Sequence, residues 1–190
     1  MAMPDVRRLR VRAMAALLPL ALTGSLSAAA AGIWLNVPFV RQQADGCGAA
    51  CISMVMRYWQ KSADAAVPPA ARARRIQHAL YNPQAKGIYA SDMERYFRRN
   101  GFRVFAFRGR LEDLHHHLAR GRPLIVCLRD SGKTGPLHYV VVVGLERQRG
   151  VVLVNDPAQR KLLKMDLRNF EKRWRPMHNW TLLAVPERGH

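Results

Sequence analysis

Gln42-Gln43-Ala44-Asp45-Gly46-Cys47-Gly48-Ala49-Ala50-Cys51 decides how the rest of the chain is read. It sets a thiol, Cys47, where an amphipathic pattern begins. Cys51, Ile52, Val55, Met56 and Trp59 recur at helical spacing and mark the buried stripe of a helix running to about Gln60. A cysteine in a first helical turn lies at the positive end of the helix dipole, which favours the thiolate, the attacking form of the group. Gly46 and Gly48 suit a sharp turn and the close approach of a substrate carbonyl. Downstream, His138 opens an apolar run, and Asp156 stands in Val154-Asn155-Asp156-Pro157. An imidazole beside the sulfur activates it as an ion pair, and a carboxylate on the other ring nitrogen fixes the tautomer. The oxyanion formed on attack needs preorganised donors: the Cys47 backbone N–H and one side-chain amide. Gln42 is the preferred amide and Gln43 the competing one, since spacing alone does not choose.

Around these residues the pattern predicts an α+β domain with one core. Trp34–Val40 alternates and contains Pro38, an edge segment leading into the glutamine loop. Helices are expected over Ala70–Leu80, from the S-x-x-E capping box of Ser91 and Glu94 to Asn100, and over Arg110–Ala119 and Asp166–Trp174. Gly101 suits a left-handed helix end, and Gly121 stops the next helix. Strands are expected at Phe102–Phe107, Pro123–Leu128, His138–Leu145, Val151–Val154 and Trp180–Val185, with the third and fourth forming a hairpin. Helices come first and antiparallel strands later, so N-terminal helices should pack on a C-terminal antiparallel sheet.

The first 31 residues read as an export signal. Arg7, Arg8, Arg10 and Arg12 precede the apolar stretch Ala13–Leu22, and small residues lead into Ala28–Ala31. The apolar core is shorter than the roughly 18 residues a membrane span needs, so removal is expected, leaving residues 32–190 as one periplasmic or secreted domain without a transmembrane segment. The full chain carries 31 Lys plus Arg against 13 Asp plus Glu, a net charge of +18. Without residues 1–31 the balance is 27 against 12, or +15, so the basicity belongs to the folded domain. A solvated arginine-rich surface is the favoured explanation, with attraction to a polyanionic cell-wall or lipopolysaccharide surface as the sharper one. The arginines are scattered and lack a stacking-aromatic motif, which argues against specific nucleic-acid binding. A monomer is expected.

Three cysteines are an odd number for an oxidising compartment, where one thiol is then left free. With Cys47 as nucleophile, Cys51 and Cys127 can either bridge or pack reduced as small hydrophobes, the second being favoured. His115-His116-His117 cannot converge on one ion, because consecutive helical residues point about 100° apart. Cys47 and Cys51 lack a second ligand pair, so no metal is expected there. Ser131-Gly132-Lys133-Thr134 imitates the tail of a phosphate loop, but Cys127 occupies the position of its first glycine. A cleft-rim loop is the better reading. Trp174 and Trp180 are expected in the core.

The segments VPFVRQQADGCGAACISMVMRYW, LHYVVVVGL, VVLVNDPA and MDLRNFEKRW resemble the nucleophile, histidine, aspartate and closing-helix blocks of the C39 and C39-like papain-type cysteine peptidases. GIYASDMERYFRRNGFRV is similar to their middle helix–strand unit. Gly46 departs from the polar residue usual there, with Asp45 one place earlier. The resemblance implies a papain-like fold and amide hydrolysis through a thioester acyl-enzyme, without metal or cofactor. It makes Cys47 the nucleophile, His138 the general base and then acid, Asp156 the orienting carboxylate and Gln42 the oxyanion donor, acting on a peptide or protein substrate. Members that cut double-glycine leaders are commonly fused to a transporter, whereas this chain reads as a standalone exported member, so leader cleavage is not carried over. An amidase or acyl transferase with the same triad, or a non-catalytic peptide- or polyanion-binding module, are the competing readings.

Overall fold

The computed structural model describes residues 32–60, 67–129 and 135–187. The signal-like segment and the Ser131–Thr134 stretch lie outside them.

Most of the helices follow from a local pattern. Helix α1 (Cys47–Trp59) buries a continuous run from Gly48 to Met56, so it is a central helix enclosed on most sides. Helix α2 (Pro69–Leu80) starts with proline at its first position, where the missing N–H costs nothing. Helix α3 (Ala90–Arg99) buries Met93 and Phe97 and ends at Asn100, with Gly101 in the left-handed region at φ 77°. The expected capping box is absent there: the helix already begins at Ala90, so Ser91 lies inside it and no side chain caps it. A helix-start device sits instead at α4 (Leu111–Leu118), where Asp113 Oδ2 accepts the Arg110 N–H at 2.8 Å. Asp166 caps α5 (Leu167–Trp174) by accepting the Asn169 N–H at 3.0 Å.

Among the described residues the strands are β1 (Ile33–Trp34), β2 (Phe102–Arg108), β3 (Leu124–Arg129), β4 (Leu137–Glu146), β5 (Val151–Asn155), β6 (Leu163–Asp166) and β7 (Trp180–Pro186). They form one antiparallel sheet in the order β2-β7-β3-β4-β5-β6, with β1 on the far end of β4. The fold is thus α+β and antiparallel. Strand β6 was not anticipated: Leu163-Lys164-Met165-Asp166 is four residues long and half polar, and only pairing with β5 makes it a strand. The edge segment expected over Trp34–Val40 overlaps the observed strand, Ile33–Trp34, only at Trp34, and the chain beyond is held by the Leu35 N–H donating to the Val143 carbonyl at 2.7 Å.

The sheet is covered on both faces, which is why β3, β4 and β5 read as unbroken apolar runs. One face, with Ile125, Val141, Val143, Leu153 and Leu182, packs under α1 and α3. The other, with Val126, Val140, Val142, Leu145 and Val152, packs under Leu114 and Leu118 of α4 and Phe170 and Trp174 of α5. Val143 and Leu145 are two apart yet lie in different cores. A bulge between Val142 and Gly144 shifts the register against β5 and inverts the alternation from there on. Gly144 makes this crowded point possible, because a Cβ there would lie 2.7 Å from both the Ile33 carbonyl oxygen and Leu153 Cδ1.

Gly144→Ala should therefore destabilise the domain by about 1–3 kcal/mol through overpacking, read as a lower urea midpoint with an unchanged m-value.

Candidate active site

Three separate segments deliver the side chains. Cys47 is the first residue of α1, half-buried at its positive end. The chain reaches it through Asp45, whose φ of 55° makes the sharp turn; aspartate tolerates that region better than most residues. The turn had been assigned to the flanking glycines, but both adopt ordinary backbone. Their lack of a side chain serves packing: a Cβ at Gly46 would lie 2.7 Å from Gln77 Oε1, and one at Gly48 3.2 Å from Ile88 Cβ.

His138 is the second residue of β4 and is buried. Asp156 follows the last residue of β5 and is 1 % exposed. Val141 pairs with Asn155, so the same register carries Asp156 to the level of Val140, a diagonal neighbour of His138. The His138 Nε2 meets Asp156 Oδ1 at 2.7 Å, and Cys47 lies close enough to the ring to favour its protonated form. Burial works against protonation of His138, but Asp156 and Cys47 outweigh it and raise its pKa from 6.5 to about 9. Burial opposes ionisation of Asp156 as well. The His138 bond and charge, with N–H groups of Ala158 and Gln159, nevertheless hold it below the usual carboxylate range. An ionised Asp156 makes His138 Nε2–H the donor, which leaves Nδ1 for the sulfur.

Asp156 is locked by its own turn. Oδ1 also accepts the Ala158 N–H at 2.9 Å, and Oδ2 accepts the Gln159 side-chain amide at 2.9 Å. The preceding Asn155 is fully buried: its Nδ2 donates to the Val37 carbonyl at 3.1 Å, and its Oδ1 accepts the Leu162 N–H at 3.0 Å. Asn155 and Gln159 escaped the sequence reading. Their only signal was adjacency to Asp156, and an asparagine before Asp-Pro reads as a turn residue. The same turn holds the glutamine loop, since the Gln42 N–H donates to the Pro157 carbonyl at 3.0 Å and Arg41 Nη2 to the Gln159 carbonyl at 3.0 Å.

Gln42 is half-buried, with Oε1 enclosed and without a hydrogen-bond partner among the described residues, whereas Gln43 is exposed. Both border a small pocket beside Gln77 and Arg74 rather than the cleft at Cys47. That cleft, about 710 Å³, reaches Cys47 and is walled by Ile88, Tyr139 and Trp180. Of the two tryptophans expected in the core, Trp174 is buried there, whereas Trp180 is half-buried and forms a wall of this cleft. Cys51 and Cys127 are free, buried thiols. Burial pushes Cys51 well above its ordinary value and Cys127 up to about 12, so both stay protonated.

A model of the Peptidase_C39 like family matches residues 34–182, most of the chain. The chain belongs to that family. No curated protein matches it in sequence. Solved structures with the same fold include the peptidase domain of Streptococcus ComA, a bifunctional ABC transporter of a quorum-sensing pathway, at 18 % identity and TM-score 0.60 over 78 % of this chain and 98 % of that one. A C39-like peptidase from Bacillus anthracis matches at 16 % identity and TM-score 0.61, over 82 % and 98 %. A double-glycine-motif protease of an AMS/PCAT transporter, solved with its leader peptide, matches at 20 % identity and TM-score 0.59, over 82 % and 98 %. At such identities these likenesses establish the fold, a C39 papain-like α+β architecture.

The two titrations bound a stability window. His138, raised when folded, contributes fully below about pH 6.5 and loses that contribution as pH rises to about 9. Asp156, depressed when folded, contributes above about pH 3.8 and loses it on further acidification. Melting temperature should fall between pH 7 and pH 9.5, and His138→Gln should flatten that decline in calorimetry.

Proposed function

We propose that the chain is an exported cysteine peptidase, with residues 1–31 as its signal and residues 32–190 as the peptidase domain. The observation that supports this reading best is the His138–Asp156 hydrogen bond beside Cys47, whose proximity helps raise the His138 pKa and which lines a cleft of about 710 Å³.

Cys47, as thiolate, attacks the scissile carbonyl carbon while His138 is held as the imidazolium by Asp156. The oxyanion is met by the Cys47 backbone N–H and the Gln42 side-chain amide. Gln42 is preferred over Gln43 because it is half-buried and anchored to the turn that holds Asp156. Collapse of this intermediate breaks the C–N bond, and the leaving nitrogen takes the His138 proton. This leaves a Cys47 thioester and neutral imidazole. His138 then removes a proton from water, hydroxide adds to the thioester carbonyl, and collapse releases the acid and the thiolate. A peptide substrate is supported by the fold relative captured with a leader peptide, and export by the arginine-then-apolar N-terminus. Among the described residues no helix is long and apolar enough to cross a membrane.

Iodoacetamide at pH 6.5 should alkylate Cys47 at least about tenfold faster than Cys51 or Cys127, and His138→Ala should abolish the difference in peptide mass mapping. Labelling indifferent to His138 would remove the ion pair from the mechanism. Asp156→Asn should keep the fold and lose at least about a hundredfold in kcat.

For the oxyanion donor, Gln42→Ala should cost about 10²–10³ in kcat, while Gln43→Ala stays within about twofold. The reverse result would move the role to Gln43. Mass spectrometry of products with added amines separates hydrolysis, which gives the free acid, from acyl transfer, which gives the amide.

A further inference from the structure

The cleft beside Cys47 has a charge pattern that the hydrolytic chemistry does not use. Its walls are largely apolar, from Ile88, Phe107, Tyr139, Trp180 and Met177. Lys86, Arg108 and His178 also line it, and none of the described lining residues is a carboxylate. These three come from different elements: the loop between Asn82 and Gly87, the end of β2, and the turn before β7. All are exposed, and no described side chain forms an ion pair or hydrogen bond with theirs.

Most of the described carboxylates are engaged elsewhere. Asp92, Glu94, Glu112, Asp113, Glu146 and Glu171 each pair with an arginine on the surface. Asp45, beside the Asn82–Gly87 loop, accepts the Tyr81 hydroxyl at 3.3 Å, and Asp156 holds His138. A cleft walled by apolar surface and edged by unpaired cations is complementary to an apolar side chain flanked by negative charge. Low-dielectric walls strengthen such charges toward a bound partner.

We propose that this cleft selects acidic peptides: an apolar residue seats beside Cys47, and carboxylates within a few residues of it meet Lys86 and Arg108, with His178 as a further donor. This names the substrate class of the site above and rests on the peptidase reading. The strongly basic character of the domain then has a local purpose at the cleft, separate from the scattered surface arginines.

The test uses the full-length Cys47→Ala chain, which binds without turnover, and three fluorescein-labelled peptides with one shared apolar centre and Glu, Gln or Lys flanks. Fluorescence anisotropy should give the Glu peptide about tenfold tighter binding than the Gln peptide, the Lys peptide the weakest, and a gap that narrows as salt rises. Lys86→Glu with Arg108→Glu should invert the order. Lys164→Glu with Arg168→Glu, the same charge change outside the cleft, should leave it intact. Equal binding of the three peptides, including none, overturns the proposal, as does an acid preference that survives the cleft reversal. Hydrolysis of the same peptides by the wild-type chain separates the two readings. Turnover without acid preference sinks this proposal alone, and acid-selective binding without turnover supports it while sinking the peptidase reading.

Discussion

The buried hydrogen bond between His138 and Asp156 is the constraint around which the site is built. An ionised carboxylate 1 % exposed is expensive unless fully satisfied, and Asp156 is satisfied from three directions: imidazole, backbone N–H and the Gln159 amide. That requirement fixes the shape of the turn after β5. The turn in turn holds the glutamine loop through Pro157 and Gln159, so the segment leading to Cys47 is positioned by the same carboxylate that orients the imidazole. Asn155 extends the arrangement by tying the Val37 backbone to the return strand. The proposed nucleophile, base and oxyanion donor thus share one small polar framework set into an apolar core.

That framework needs a rigid support, and the doubly covered sheet provides it. Central strands packed on both faces leave little freedom to slip, because a one-residue shift would exchange the two apolar sets. The bulge before Gly144 lets β4 serve both ends of the sheet. Up to Val143 its residues alternate to suit β3 and α1, and beyond it they alternate to suit β1 and β5. Cys51 and Cys127 belong to this support: burial keeps them protonated, and Cys47 alone of the three thiols pairs with an imidazole.

Much of this was legible beforehand, for identifiable reasons. Helix α1 carried a strong stripe from Cys51 to Trp59, and the β4–β5 hairpin was two β-branched runs around a polar turn ending at Gly150, which takes the left-handed conformation. Misreadings occurred where tertiary context overrode a local motif. Ser91 and Glu94 matched a capping box, yet α3 already starts at Ala90 and no side chain caps it. The glycines beside Cys47 looked like hinges, but neighbouring side chains needed the space and Asp45 took the strained turn. Strand β6 was invisible because four residues of mixed polarity become a strand only beside β5.

The amino-acid sequence by itself determined the class of fold, the order of most elements and the candidate residues Cys47, His138, Asp156 and the two glutamines, because periodicity and residue chemistry are local properties. Only the tertiary structure decided which groups meet: Nε2 with Asp156, the imidazole beside Cys47, Gln42 rather than Gln43 tied to the aspartate turn, and Lys86 and Arg108 along one cleft. Such contacts join positions far apart in the chain, and their energies come from burial and register, which no stretch of sequence carries alone.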